Sequence, residues 1–326
     1  MVYIAKFLLW LLSLMPAGMP YWLSSKGAGL WMRLSPVKRH TTERNLERCF
    51  PDMPAGERAQ IARKSFVHYL CSILETGHNW YWPVEKLQAQ CIEFVNEKLV
   101  VDALNSGRGL VVLAPHFGAW EYLGMYLQRF PGIAILYKPP ASPQLEKALL
   151  DRRKRGGAQM IAATGAGIRK LYAHVKAGHG VGVLPDQQPS RGQGRFVPFF
   201  GNMALTGVLA PRLIHRTNCL VLACVCEGLE GGRFRVHVLP VGDAIHSDDI
   251  DVSLAEVNRS IERCIAIDPP QYLWSYRRFK KQPEGSPPFF GFWCRPRGSE
   301  RCWRLPVRRS NAGRGGGWGG GGGGGV

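Results

Sequence analysis

Three short apolar runs, residues 109–114 (GLVVLA), 132–137 (GIAILY) and 180–185 (GVGVLP), are interleaved with stretches of helical spacing near 119–129, 143–154 and 166–177. The runs are continuously apolar rather than alternating, which is the pattern of strands covered on both faces. Strands separated by helices require crossover connections, so the fold class is α/β with a central, mostly parallel sheet flanked by helices. Two later runs, CLVLACVCEG and RFRVHVLPV, predict further strands and a hairpin around Gly231 and Gly232, and residues 250–268 predict a closing helix. Upstream, Ile61, Phe66, Tyr69, Leu70, Ile73 and Leu74 recur at helical intervals within a helical region from about residue 35 to 79. With 326 residues and 45% apolar side chains, the chain has enough material for a substantial core.

The first 25 residues, MVYIAKFLLWLLSLMPAGMPYWLSS, are mostly apolar, with Tyr3, Trp10, Tyr21 and Trp22 placed as interfacial rings would be. The expectation is an N-terminal membrane helix over 1–24 that spans or lies in a bilayer. Arg33, Lys38, Arg39, Arg44 and Arg48 would then lie on the cytoplasmic side. A cleavable signal peptide is the rival, but its basic region is one lysine and no clean A-x-A site follows. A plain buried helix is a third reading, since Pro16 and Pro20 shorten the continuous segment. Residues 25–285 form the expected catalytic domain. Residues 286–326, which include eleven glycines within 313–325, are expected to be a basic, disordered tail.

The net charge of +18 points to an anionic partner: nucleic acid, phospholipid or a phosphorylated substrate. Residues 281–326 carry eight basic and two acidic side chains, so most of the excess belongs to the preceding chain. Nine cysteines are scattered without a Cys-x-x-Cys pair, a usage that fits buried small side chains better than a zinc site.

The strand at 109–114 runs into Pro115 and His116, and Glu121 follows five positions later. Strand carboxyl ends are where ligand crevices open in α/β sheets. An imidazole there has the basicity to accept a proton from an alcohol near neutral pH, and a carboxylate on its other nitrogen would fix the tautomer. Glu121 would reach back from the first turns of the following helix, whose free N–H groups would steady an oxyanion. Asp186 and Gln187 end the run 180–185 at the same sheet edge; Asp186 either binds substrate or holds a basic neighbour.

Four blocks carry a resemblance: APHFGAWEYLG, LYKPPASPQLEKALLDRRKRGGAQMI, GVGVLPDQQPSRGQGRFVPFFGNMALT and PPQYLWSYRRFKKQPEG. Over about residues 5–285 the chain resembles the bacterial lipid A late acyltransferases (the lauroyl/myristoyl transferase family), within the lysophospholipid acyltransferase superfamily. The resemblance implies a glycerolipid acyltransferase-like fold. It also implies transfer of a fatty acyl chain from acyl carrier protein to a hydroxyl of a lipid A precursor, at the cytoplasmic face of the inner membrane. On it, His116 is the general base and Glu121 its partner, while Lys138, Arg153 and Arg155 are basic residues suited to phosphate on substrate or carrier; Asp186 and Gln187 are added as candidate substrate-binding residues from their place at the sheet edge. No metal or cofactor is implied beyond the acyl carrier protein donor. The family more usually has Arg at the position of Lys138, which weakens a bidentate phosphate clamp there. Trp274, Arg277, Arg278, Phe279 and Lys280 match the family's terminal block and either serve the site or dock the last segment.

Three rivals remain. A nucleic-acid module fits the charge, but no recognisable nucleic-acid motif is present. A serine or metal hydrolase would need G-x-S-x-G or H-E-x-x-H, and neither occurs around His116. An acyltransferase of the same fold could act on another lipid, such as a lysophospholipid, an aminolipid or a glycolipid.

Overall fold

In the computed structural model, residues 2–140, 142–153, 157, 159–190, 192–287 and 289–290 are described. The expected sheet is present as β2 (Leu110–Leu113), β3 (Ile133–Tyr137) and β5 (Gly180–Val183), with α7 (Trp120–Leu127), α8 (Pro143–Arg153) and α9 (Gly165–Lys176) in the predicted intervals. The late strands form β8 (Leu220–Leu229) and β9 (Arg233–Pro240), paired antiparallel across a turn in which Gly231 adopts φ +78°. The closing helix is α11 (Ile250–Ile265).

The strand order is β1-β9-β8-β2-β5-β3-β4, with β1 (Cys91–Val95) and β4 (Gln159–Ala162) at the edges. Strands β8, β2, β5, β3 and β4 run parallel, and β9 with β1 runs the other way. Successive side chains of β2 point to opposite faces. Val111 and Leu113 pack with Leu171, Val175, Val257 and Ile261 from α9 and α11. Leu110 and Val112 pack with Tyr122, Leu123 and Tyr126 of α7. Each face is thus closed by helices, which is why the strand sequences are apolar throughout. The segment FVPFFG belongs to a separate hairpin, β6 (Gly194–Phe199) and β7 (Asn202–Gly207).

The expected N-terminal membrane helix is corrected. The apolar stretch is interrupted around Pro16 into α1 (Val2–Ser13) and α2 (Met19–Leu34), and among the described residues no helix is long and apolar enough to cross a membrane. Both helices lie along α4 (Ala55–Tyr81). Trp82 Nε1 donates to the Ser13 carbonyl at 2.8 Å, and His78 Nε2 lies 2.9 Å from the Met15 carbonyl. Phe7, Leu11, Leu14, Trp22 and Leu30 of this N-terminal region are exposed.

Toward the other end, Phe289 and Phe290 are buried, and Phe289 stacks on Phe279 with centroids 4.2 Å apart. Packing therefore continues past residue 285, where the sequence places the end of the domain. Residues 291–326 lie outside the described residues, as does the expectation made for them.

Candidate active site

Strands β2 and β5 pair in register, Leu113 opposite Val183. Each exits through a proline at the same offset, Pro115 and Pro185, so the next residues, His116 and Asp186, leave the sheet side by side. The Asp186 carboxylate holds His116 twice. Oδ2 accepts the His116 backbone N–H at 3.0 Å, and Oδ1 lies 2.8 Å from ring Nδ1. An ionised carboxylate only accepts, so Nδ1 carries the proton and Nε2 presents its lone pair. Gln187 Nε2 lies 3.1 Å from that nitrogen and donates to it.

The carboxyl partner of the ring is therefore Asp186, not Glu121 as the spacing within one segment suggests. Glu121 lies in the first turn of α7 and turns to Arg153, whose Nη2 approaches Oε1 at 3.1 Å and Oε2 at 3.3 Å. Strand pairing across the sheet brought in the nearer acid. The matched offsets of Pro-His and Pro-Asp were the available signal, but they are informative only once β2 and β5 are known to be neighbours.

The side chain of His116 is 14% exposed and that of Asp186 3%. Burial disfavours the imidazolium, yet the charge and hydrogen bond of Asp186, with the charge of Glu121 added, hold the ring's pKa above its ordinary value. Burial likewise favours neutral Asp186, but the His116 charge, the two hydrogen bonds and the Arg278 charge keep its pKa below the usual carboxylate value.

Both loops are fastened by residues 271–278. Gly118 N–H donates to the Gln271 carbonyl at 3.0 Å and Leu273 N–H to the His116 carbonyl at 3.2 Å. Gln188 N–H donates to Tyr276 Oη at 2.9 Å, and Gln188 Nε2 to the Arg278 carbonyl at 2.8 Å. Asn45 Nδ2 fixes this strap to α3 (Pro36–Cys49) through the Trp274 and Tyr276 carbonyls. Arg278 itself is buried, donating to the Leu205 carbonyl and Thr206 Oγ1. Residues 271–278 thus dock against both loops, Gln271 and Leu273 on the His116 side and Tyr276 and Arg278 on the Asp186 side. Gly118 makes the strap's close approach feasible, since at φ +51° a Cβ would run into the Cys226 carbonyl and Gln271 Oε1.

Gly118 and Ala119 N–H groups are bonded to the Gln271 and Cys226 carbonyls. The first helical bond runs from Leu123 to Ala119, so the N–H groups of residues 120–122 are those the helix leaves open. Lys138 is exposed just beyond β3 at the same edge of the sheet. Arg155 lies outside the described residues.

A histidine-carboxylate pair at a sheet edge suits several chemistries, and similarity to known proteins decides among them. Residues 1–281 match the family of bacterial lipid A biosynthesis acyltransferases. The chain belongs to this family. Membership makes it an acyltransferase of lipid A biosynthesis. Among similar proteins, the lipid A biosynthesis lauroyltransferase of Escherichia coli strain K12 is 28% identical over 283 residues, covering 86% of this chain and 91% of that protein. The palmitoleoyltransferase of the same strain is 27% identical over 81% of this chain and 93% of its own. Its myristoyltransferase is 23% identical over 78% of each.

Proposed function

We propose that this acyltransferase moves a fatty acyl group from the thioester of acyl carrier protein to a hydroxyl of a phosphorylated lipid A precursor, with His116 as general base. The observation that carries this reading is the Nδ1–Asp186 contact of 2.8 Å, which leaves Nε2 as a neutral acceptor at the opening of the site. The acceptor O–H gives its proton to Nε2 while its oxygen attacks the thioester carbonyl. The tetrahedral intermediate collapses with cleavage of the C–S bond, and the departing thiolate takes the proton back from Nε2. Asp186 fixes the tautomer and stabilises the imidazolium between these steps. Gln187 stands where the hydroxyl must arrive, and its exposed side chain can rotate away.

Glu121 acts through its charge on the ring and by holding Arg153 beside the site. With Lys138, and with Arg155 on the family resemblance, Arg153 supplies positive charge for phosphate groups of acceptor or carrier. The open amides at the start of α7 are the nearest backbone donors for the oxyanion.

The family resemblance, with a lipid as acceptor, supports work at the cytoplasmic face of the inner membrane. The exposed apolar side chains of α1 and α2 support an interfacial seat, with the helices lying in the bilayer surface instead of crossing it.

The test is mass analysis of the acceptor after incubation with acyl-acyl carrier protein, alongside lipid A from cells with and without this chain. The expected product is heavier by one acyl group, made by the wild type and lost in His116→Ala. No mass gain with any acyl donor would refute the reading.

A further inference from the structure

Arg278 carries a full charge at 2% exposure, yet the groups it hydrogen-bonds are neutral. Nη1 donates to the Leu205 carbonyl at 2.6 Å, and Nη2 to Thr206 Oγ1 at 2.7 Å and Asn258 Oδ1 at 3.4 Å. The guanidinium lies 5.4 Å from the centre of the Phe199 ring, and its Nε is buried without a hydrogen-bond partner among the described residues. These contacts dock the hairpin of β6 and β7, but a neutral side chain could do the same. A buried cation among neutral groups is costly unless an anion stands near it. The same holds for Asp186, whose side chain is 3% exposed and whose partner His116 is neutral while it waits as base.

The two buried charges are close enough for each to act on the other. Gln188, two residues after Asp186, donates through Nε2 to the Arg278 carbonyl at 2.8 Å. The loop that carries the carboxylate is thereby tied to the backbone that carries the guanidinium. Tyr272, 4% exposed, belongs to both: its hydroxyl is turned to the Asp186 carboxylate as a donor, and its ring packs 6.3 Å from Phe199, the ring that Arg278 covers. Around them stand Tyr276, Cys49 on α3 and Cys264 on α11. Burial pushes both thiols and the Tyr272 hydroxyl up, so these three stay protonated near neutral pH. The charge left to balance is that of Asp186 and Arg278, with Glu121 acting on the ring from α7.

We propose that Arg278 is the counter-charge of Asp186 and that, with the Tyr272 hydroxyl, it positions the carboxylate that steers His116. The proposal rests on the reading of His116 as general base. Arg278 and Tyr272 are positioning residues, because they act through Asp186. Their effect is to keep the pair from holding a proton too tightly: Asp186 favours the imidazolium, and a cation behind it favours the lone anion and the neutral ring. The base is then free to take a hydroxyl proton at lower pH than Asp186 alone would allow.

The test is kcat/KM for acyl transfer against pH in wild type, Arg278→Gln, Arg278→Lys and Tyr272→Phe, beside an NMR titration of the His116 ring, its signal assigned by its loss in His116→Gln. Without the cation the pair should keep its proton to higher pH, so both midpoints should rise by about one unit in Arg278→Gln. Tyr272→Phe takes one donor from the carboxylate and should move them the same way by less. Arg278→Lys keeps the charge without the fork and should return them toward the wild-type values. Damage to packing alone would lower the rate at every pH and leave the midpoints unmoved. That result in a folded Arg278→Gln would overturn the proposal, as would an Arg278→Lys that titrates like Arg278→Gln. Should Arg278→Gln fail to fold, Tyr272→Phe decides: raised midpoints support the proposal and unmoved ones overturn it. A wild type that transfers nothing removes the acyl-transfer reading, and the ring titration still reports on the counter-charge.

Discussion

At the scale of single residues, His116 and Asp186 form a unit whose parts shift each other's ionisation in opposite directions. The raised His116 pKa contributes stability that is full below about pH 6.5 and disappears as pH rises through the folded value. The depressed Asp186 pKa contributes stability that is full above about pH 4 and disappears as pH falls through its folded value. The difference in unfolding free energy between wild type and Asp186→Asn should therefore be largest between those limits, measured by urea denaturation across a pH series. A difference that is flat with pH would contradict the pairing. Replacing His116 by alanine should lower transfer by about 10²- to 10⁴-fold, the usual contribution of a positioned base. Because Glu121 and Arg153 share one ion pair, the losses caused by Glu121→Gln and Arg153→Ala should be strongly non-additive in kcat/KM. Purely additive losses would mean the two act separately. His116 was legible in the sequence because an apolar run delivers it to a sheet edge. Its partner was not, because 70 residues separate the two and only the pairing of β2 with β5 brings them together.

At the scale of elements, the site is two strand-exit loops held under one strap. Strands β2, β3 and β5 could be read from sequence because burial on both faces makes their runs apolar. The edge strands β1 and β4 could not, since CIEFV and QMIA are partly exposed and carry polar residues. The strap, residues 271–278, lacks regular secondary structure over most of its length and gives no periodic signal; its hydrogen bonds to residues 116, 118 and 188 are tertiary. Two substitutions probe it. Gly118→Ala should destabilise the protein by more than about 1 kcal/mol, because the positive φ and the Cys226 carbonyl both oppose a side chain. Gln271→Ala removes the buried amide that bonds the Gly228 backbone and Asp268, at a cost of about 1–3 kcal/mol. Both should reduce transfer while leaving the His116 and Asp186 side chains in place. Urea unfolding and transfer rates together check this, and full activity with normal stability in either variant would mean the strap does not hold the loops in place.

For the whole molecule, the exposed apolar residues of α1 and α2 and the net charge of +18 fit attachment to an anionic lipid surface. Part of the basic run after α1 is engaged locally: Arg39 pairs with Glu43 and Arg44 with Glu47. Insertion of apolar side chains should therefore matter more than charge alone. In sedimentation with anionic vesicles, replacing Phe7, Leu11, Leu14 and Trp22 by serine should release most of the protein, and raised salt should release only part of it. Unaltered binding by that variant would place the contact elsewhere. On the function proposed above, these features serve a single event, the removal of a hydroxyl proton by an imidazole that Asp186 steers. Its most direct test is kcat/KM for acyl transfer against pH, in wild type and Asp186→Asn. The base must be neutral, so the wild-type rate should rise with pH through a midpoint above about 6.5. In Asp186→Asn the rate should fall by a factor on the order of 10²–10⁴, with the midpoint moved to lower pH. Near wild-type rates with an unmoved midpoint in that variant would contradict the account.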